Sequence, residues 1–167
     1  KGTKMLKIKG KLWMYTPRTD RKILIAGHLL RQSLMGSDLS YEDMMEDHKL
    51  SKSYSATFDS FTNINKVRCA ILNLTARDKK TTYQTRKVWV NPEDKTVLKE
   101  ERFAKSGKLL KRILFEDYEI ISDRKFPRTM VFKDLLKENT KTTYKFDIIE
   151  FDVEIPARYF SQSSLKR

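Results

Sequence analysis

At 167 residues the chain is long enough to bury a core of its own. With 39% apolar residues, two Trp, seven Tyr and nine Phe, it has the composition of a folded chain rather than a disordered one. No apolar run approaches the ~18 residues that a membrane-spanning helix needs, and the single cysteine, Cys69, excludes an internal disulfide. The formal charge of +13 favours anionic partners, although the bases are scattered along the chain and form no basic tail.

Taken from its start, the sequence alternates. Leu6, Ile8, Gly10, Leu12 and Met14 share one parity, while Lys7, Lys9, Lys11, Trp13 and Tyr15 share the other. Period two over ten residues predicts one half-buried strand with its lysines outward. Thr16 to Asp20 supplies a turn, residues 21–26 (RKILIA) return as a strand, and Gly27 ends it. The chain opens without an initiator Met and already in strand pattern, so it reads as a fragment of a longer sequence.

Residues 34–47, LMGSDLSYEDMMED, break the pattern and gather five acids with no base. Ser40 is placed to cap a short helix, with Asp43 as the reciprocal acid three residues later. Tyr41, Met44, Met45 and His48 then form an apolar stripe at i, i+3, i+4 and i+7. The acids Asp38, Glu42, Asp43, Glu46 and Asp47 fall on its wet sides. With Leu29, Leu30, Leu34, Met35 and Leu39 this segment is too apolar for an ordinary loop. Either it plugs the core of a curved sheet, or it is a methionine-rich lid able to repack around a ligand.

Strand patterns then follow one another. Tyr54, Ala56 and Phe58 share a face, and VRCAILNLTA is apolar on both faces, as a central strand can be. YQTRKVWV and KTVLKEERFA form a hairpin about Asn91-Pro92-Glu93-Asp94, and Ser106-Gly107 turns into KLLKRILFEDYEII. Phe126-Pro127 marks the next boundary, Glu138-Asn139 a turn, and TKTTYKFDIIEFDVEI a last strand whose apolar parity switches, as at a bulge. Ile155-Pro156 ends it, and ARYF is a closing helical turn. Short turns between strands predict an antiparallel meander.

Little in the chain suggests catalysis. Two histidines, one cysteine in an apolar run, no GxSxG and no phosphate loop leave no nucleophile or nucleotide motif. The acidic stretch lacks the glycine of a calcium loop, and no metal or other cofactor is expected. Trp13, Tyr15 and Trp89 beside lysines fall short of a base-stacking motif, so nucleic acid is not an expected partner.

LWMYTP at 12–17 followed by LMGSDLSYEDMM, then WVNPEDKTVLKEERFAKSGKLLK, FPRTMVFKDLL and FDVEIPARYF with a terminal Leu-Lys-Arg, resembles the outer-membrane lipoprotein-sorting, LolA-like carriers. The match runs in order over nearly the whole chain. It implies a mainly β (α+β) fold: a strongly curved antiparallel sheet, an incomplete barrel closed by short helices. Residues 1–167 would form a single domain, without the helix and first strands that family members carry earlier. The implied function is non-enzymatic transport of lipid or lipoprotein acyl chains in the periplasm, with possible lipid anchoring. An inner- or outer-membrane delivery protein and peripheral membrane contact would accompany it. Guided by the family and by strand faces, the expected acyl contacts are Leu12, Met14, Leu34, Met35, Leu39, Tyr41, Met44, Met45, Met130, Phe132, Phe146 and Ile148. The alternative is an envelope protein-interaction module on the same fold, pairing through an exposed sheet edge without cargo.

Overall fold

The computed structural model describes residues 2–46, 49–79 and 81–166. Asp47 and His48 of the acidic stretch therefore lie outside the described residues. Contacts divide the chain into two compact units: Lys1–Glu46 with Glu150–Arg167, and Asp47–Ile149. Each has its own antiparallel sheet, and the sequence order of strands is kept in both.

The first unit holds β1 (Lys4–Ile8), β2 (Lys11–Thr16) and β3 (Arg21–Ile25). The single strand expected over residues 6–15 is in fact a hairpin. Lys9 and Gly10 both take positive φ, 48° and 70°, the conformation of a two-residue turn that matches strand twist. Ile8 pairs with Lys11 and Leu6 with Trp13. The turn inverts the parity, so Leu6 and Ile8 share a face with Trp13 and Tyr15, not with Leu12 and Met14. That face packs on Leu165 of the closing 3-10 turn Gln162–Lys166. On the other face Leu12, 1% exposed, pairs with buried Ile25, and Met14 pairs with Ile23.

The linking segment folds back on itself. Leu34 N–H donates to Leu39 O at 2.7 Å, Tyr41 N–H donates to Gln32 O at 3.2 Å, and Ser33 bridges Ser40. It leads into α1 (Tyr41–Met45), capped as expected: Asp43 N–H donates to Ser40 Oγ, and Asp43 Oδ2 accepts from Ser40 N–H at 2.7 Å. The helix is little more than one turn, since Glu46 is already extended. Asp38 precedes the cap and is buried, a correction to its expected place on a wet side.

The second unit begins with α2 (Leu50–Ser53) and continues as β4 (Tyr54–Ile64), β5 (Val67–Ala76), β6 (Thr85–Val90), β7 (Val97–Phe103), β8 (Leu109–Ile121), β9 (Arg124–Asp134) and β10 (Thr142–Lys145). They form an open meander whose end strands are β4 and β10, so the sheet does not close. Two expectations fail here. Phe126-Pro127 is not a boundary: the turn is Ser122-Asp123, again with two positive φ values, and Pro127 lies within β9 opposite Tyr118. Proline cannot donate to the ladder; the β8–β9 register nevertheless runs unshifted past it, with Asp117 of β8 at φ 53° beside Tyr118, the partner of Pro127. The last strand is short as well. β10 ends at Lys145, and residues 146–156 form no regular element, so their switch in apolar parity reflects the end of pairing rather than a bulge. The closing turn Ala157–Phe160 is present as a 3-10 turn.

Candidate apolar groove in the seven-stranded sheet

One face of this sheet collects apolar side chains from successive strands. Leu72 pairs with Val88, and Ile113 with Phe132; Phe115 of β8 stands opposite Met130 of β9. Tyr54, Leu74 and Val88 form a buried cluster to which Leu50, Leu72, Val90 and Val97 add. Where the chain leaves β10, Phe146 N–H still donates to Arg128 O at 2.9 Å, which brings its ring edge-on to Phe126 at 5.9 Å.

The result is a groove of about 510 Å³ lined by Leu50, Val88, Val97, Phe115, Phe126, Met130 and Phe146, with Tyr118, Pro127 and a polar margin. That volume is in the range of small-molecule sites. Tyr118 keeps its polar end occupied: its hydroxyl donates to Val97 O at 2.6 Å, and burial pushes its pKa up to about 12, so it stays a neutral phenol. At the margin Lys125 pairs with Asp94, and Asp94 Oδ1 accepts from the Thr96 hydroxyl at 2.6 Å and its N–H at 3.0 Å. These partners, Lys125 foremost and then Thr96, hold Asp94 at about 2.

Beside the groove lies a buried ionic cluster. Glu100, which also lines the groove, accepts from Arg86 Nη1 at 2.7 Å and from Arg102 Nε at 2.8 Å. The Arg86 guanidinium stacks over Tyr54 and Tyr83 at 4.6 and 5.5 Å, and Arg102 over Tyr83 at 5.2 Å. Tyr54 donates to Tyr83 O at 2.8 Å and is raised to about 12 by burial. Cross-strand pairing explains the placement. Arg86 is opposite Arg102 and Val88 opposite Glu100, so all share the groove's face.

Of the residues expected to meet an acyl chain, Met130 and Phe146 line this groove. Phe132 is buried on the same face, against Tyr144 at 5.3 Å, and Ile148 is 81% exposed. The others belong to the first unit. Leu12, Leu34, Leu39 and Tyr41 are buried there, and Tyr41 Oη sits 3.7 Å from Met14 Sδ. Met45 is half-buried, whereas Met35 and Met44 are 61% and 41% exposed. Sequence reasoning missed Leu50, Val88, Val97, Phe115 and Phe126. Strand parity on β8 with the correct Ser122-Asp123 turn would have set Phe115 opposite Met130.

The groove offers apolar contact with an ionic margin of Asp94, Lys95, Glu100 and Lys125. Among the described residues no three His, Cys, Asp or Glu side chains gather as a metal site. Cys69 is fully buried, and its thiol is pushed up by that burial, the opposite of an activated nucleophile. No described helix is long and apolar enough to cross a membrane.

The architecture has solved counterparts. A DUF1329 family protein from Desulfovibrio piger superposes with a TM-score of 0.85 at 26% identity, over 93% of this chain and 64% of that one. A protein domain from Vibrio parahaemolyticus described as outer-membrane lipoprotein-sorting gives 0.80 at 24%, over 94% and 66%. A LolA superfamily protein from Nitrosomonas europaea gives 0.77 at 22%, over 98% and 72%. This chain therefore spans just under two thirds of the length of the first two. No curated protein matches it. The fold is that of the LolA-like proteins, an open antiparallel sheet with few short helices. A family model described as uncharacterized protein matches residues 1–167, and the chain belongs to that family.

Proposed function

We propose that the protein is a non-enzymatic carrier of lipid or lipoprotein acyl chains in the periplasm, with the groove of the seven-stranded sheet as its binding site. The observation that carries this reading is an apolar groove of about 510 Å³ built on the open sheet of a LolA-like fold. Burial of an acyl chain is worth roughly 0.8 kcal/mol per CH₂, so even ~10 buried methylenes contribute ~8 kcal/mol before ordering costs. Val88, Phe115, Met130 and Phe146 supply that contact, and Met130 adds a side chain that repacks around different chains. Within the first unit, Met35 and Met44 are proposed as separate apolar contacts, on the strength of the surface they leave exposed over buried Leu12, Leu34, Leu39 and Tyr41, with Met14 and Met45 beside them. Residues 1–167 would act as one LolA-like domain, with a membrane delivery protein as partner.

Titration with a fluorescent fatty acid tests the reading. Saturable binding should weaken at least tenfold, about 1.4 kcal/mol, in Met130→Glu, because the new carboxylate must lose water when the chain enters. Equal uptake by wild type and Met130→Glu would remove the groove from the account.

A further inference from the structure

The groove of the seven-stranded sheet changes character at its margin. Lys95, from the β6–β7 turn, and Lys125, near the start of β9, both line it and both are exposed. The turn that carries Lys95 is closed by its own backbone: Asn91 N–H donates to Thr96 O at 2.8 Å, and Lys95 N–H donates to Asn91 O at 2.9 Å. The Lys125 ammonium lies 6.0 Å from the ring of Tyr118, on the neighbouring strand β8. It donates to Asp94, whose carboxylate also accepts from the N–H and hydroxyl of Thr96. Asp94 is therefore an anchor that holds Lys125 at the groove. Lys95 donates to Pro92 O. An ammonium carries three donors, so each lysine, engaged with one acceptor, keeps donors for a ligand. Glu100, the other acid on the lining, is offset by Arg86 and Arg102. Among the described residues, four cations thus stand against two carboxylates on and beside the groove.

We propose that the cargo is a lipid with an acidic head, a carboxylate or a phosphate, whose chain lies in the groove and whose head is held by Lys95 and Lys125. The inference rests on the carrier reading and narrows it. An acyl chain attached to a protein through ester or amide bonds presents no charge at that end, so two ammonium groups at the margin give it nothing. A lipid with an anionic head gains charge-assisted hydrogen bonds from both. Lysine suits either oxyanion, as a compact charge with rotatable donors on a flexible stem. Because both lysines sit at the exposed margin, the empty groove buries no unpaired cation. Lysines that only kept the mouth soluble would give no preference for one head over another.

Displacement of N-phenyl-1-naphthylamine, a neutral apolar dye, by dodecanoate, dodecyl phosphate and dodecanol tests the proposal, since the chain is constant and only the head differs. Exposed ion pairs reach about fivefold each, so wild type should prefer dodecanoate to dodecanol by roughly tenfold at low salt. Raising the salt should narrow that preference. In Lys95→Gln with Lys125→Gln the ratio should fall below about twofold. The same loss of charge in the β7–β8 turn, at the other end of β7, by Lys105→Gln with Lys108→Gln, should leave the ratio as in wild type. Tighter binding of dodecyl phosphate than of dodecanoate would identify a phosphate head, and the reverse a carboxylate; either result supports the site. Equal binding of dodecanol and both anions to wild type would overturn the acidic head and leave the carrier reading standing. Equal falls in the two double variants would reduce the effect to overall charge and overturn the Lys95–Lys125 site. Failure of all three chains to bind, by displacement or by calorimetry, would remove the carrier reading and this inference with it.

Discussion

Replacing Glu100 by glutamine is expected to destabilise the seven-stranded sheet by about 3–5 kcal/mol, the usual cost of breaking a buried ion pair from one side. Glu100 accepts from two guanidinium groups, at 2.7 and 2.8 Å, and the side chains of Arg86, Arg102 and Glu100 are only 1%, 9% and 7% exposed. At an effective dielectric of ~20, charges ~4 Å apart attract by about 4 kcal/mol per pair, and the variant loses both attractions. The amide still accepts a hydrogen bond, and the arginines keep their tyrosine rings, each contact worth about 1 kcal/mol, so the net loss falls short of the sum. Urea unfolding of cargo-free protein, followed by tryptophan fluorescence, reads the effect. With a slope near 2 kcal/mol per molar, the midpoint should fall by roughly 2 M. Replacing all three residues together by Leu and Met should recover most of that loss. A midpoint shift in Glu100→Gln below about 0.5 M would refute the claim that the carboxylate offsets two buried cations.

Two further outcomes follow from single residues. Gly10→Ala places a Cβ at φ 70° in the β1–β2 turn and should cost about 1 kcal/mol in the same assay, whereas Gly2→Ala, on an exposed residue before β1, should be neutral. Asp94, depressed to about 2 by Lys125 and Thr96, contributes stability that is present above the ordinary carboxylate pKa near 4 and lost as pH falls through about 2. Because the pair is largely exposed, Asp94→Asn should cost less than about 1 kcal/mol at neutral pH, and its unfolding curve should merge with wild type near pH 2.

Much of the fold was legible because turn chemistry and strand period agree over most of the chain. Asn91-Pro92-Glu93-Asp94, Ser106-Gly107 and the Ser40–Asp43 capping box each act locally, within a few residues, and each stands where the sequence put it. What was illegible depends on pairing. A two-residue turn at Lys9-Gly10 leaves the alternation of letters unbroken while it exchanges the faces, so the letters alone group Leu12 and Met14 with Leu6 and Ile8, from which the pairing separates them. Pro127 looks like a breaker, yet it lies inside the unshifted β8–β9 register, opposite Tyr118. Residues 146–156 are as apolar as a strand, yet only four residues of β10 pair with β9. The groove shows the same division. Strand faces alone point to Met130 and Phe146, but Val88, Val97 and Phe115 join them only through the register of four consecutive strands. The ionic cluster left no local signal, because Arg86 and Glu100 are fourteen residues apart and meet through the β6–β7 pairing.

Native mass spectrometry of protein purified without detergent tests the carrier reading most directly. The account predicts a bound species of lipid mass on the wild-type chain, displaced by added fatty acid and missing from Met130→Glu. A wild-type spectrum showing only the bare polypeptide, from protein that also fails to take up added fatty acid, would contradict it.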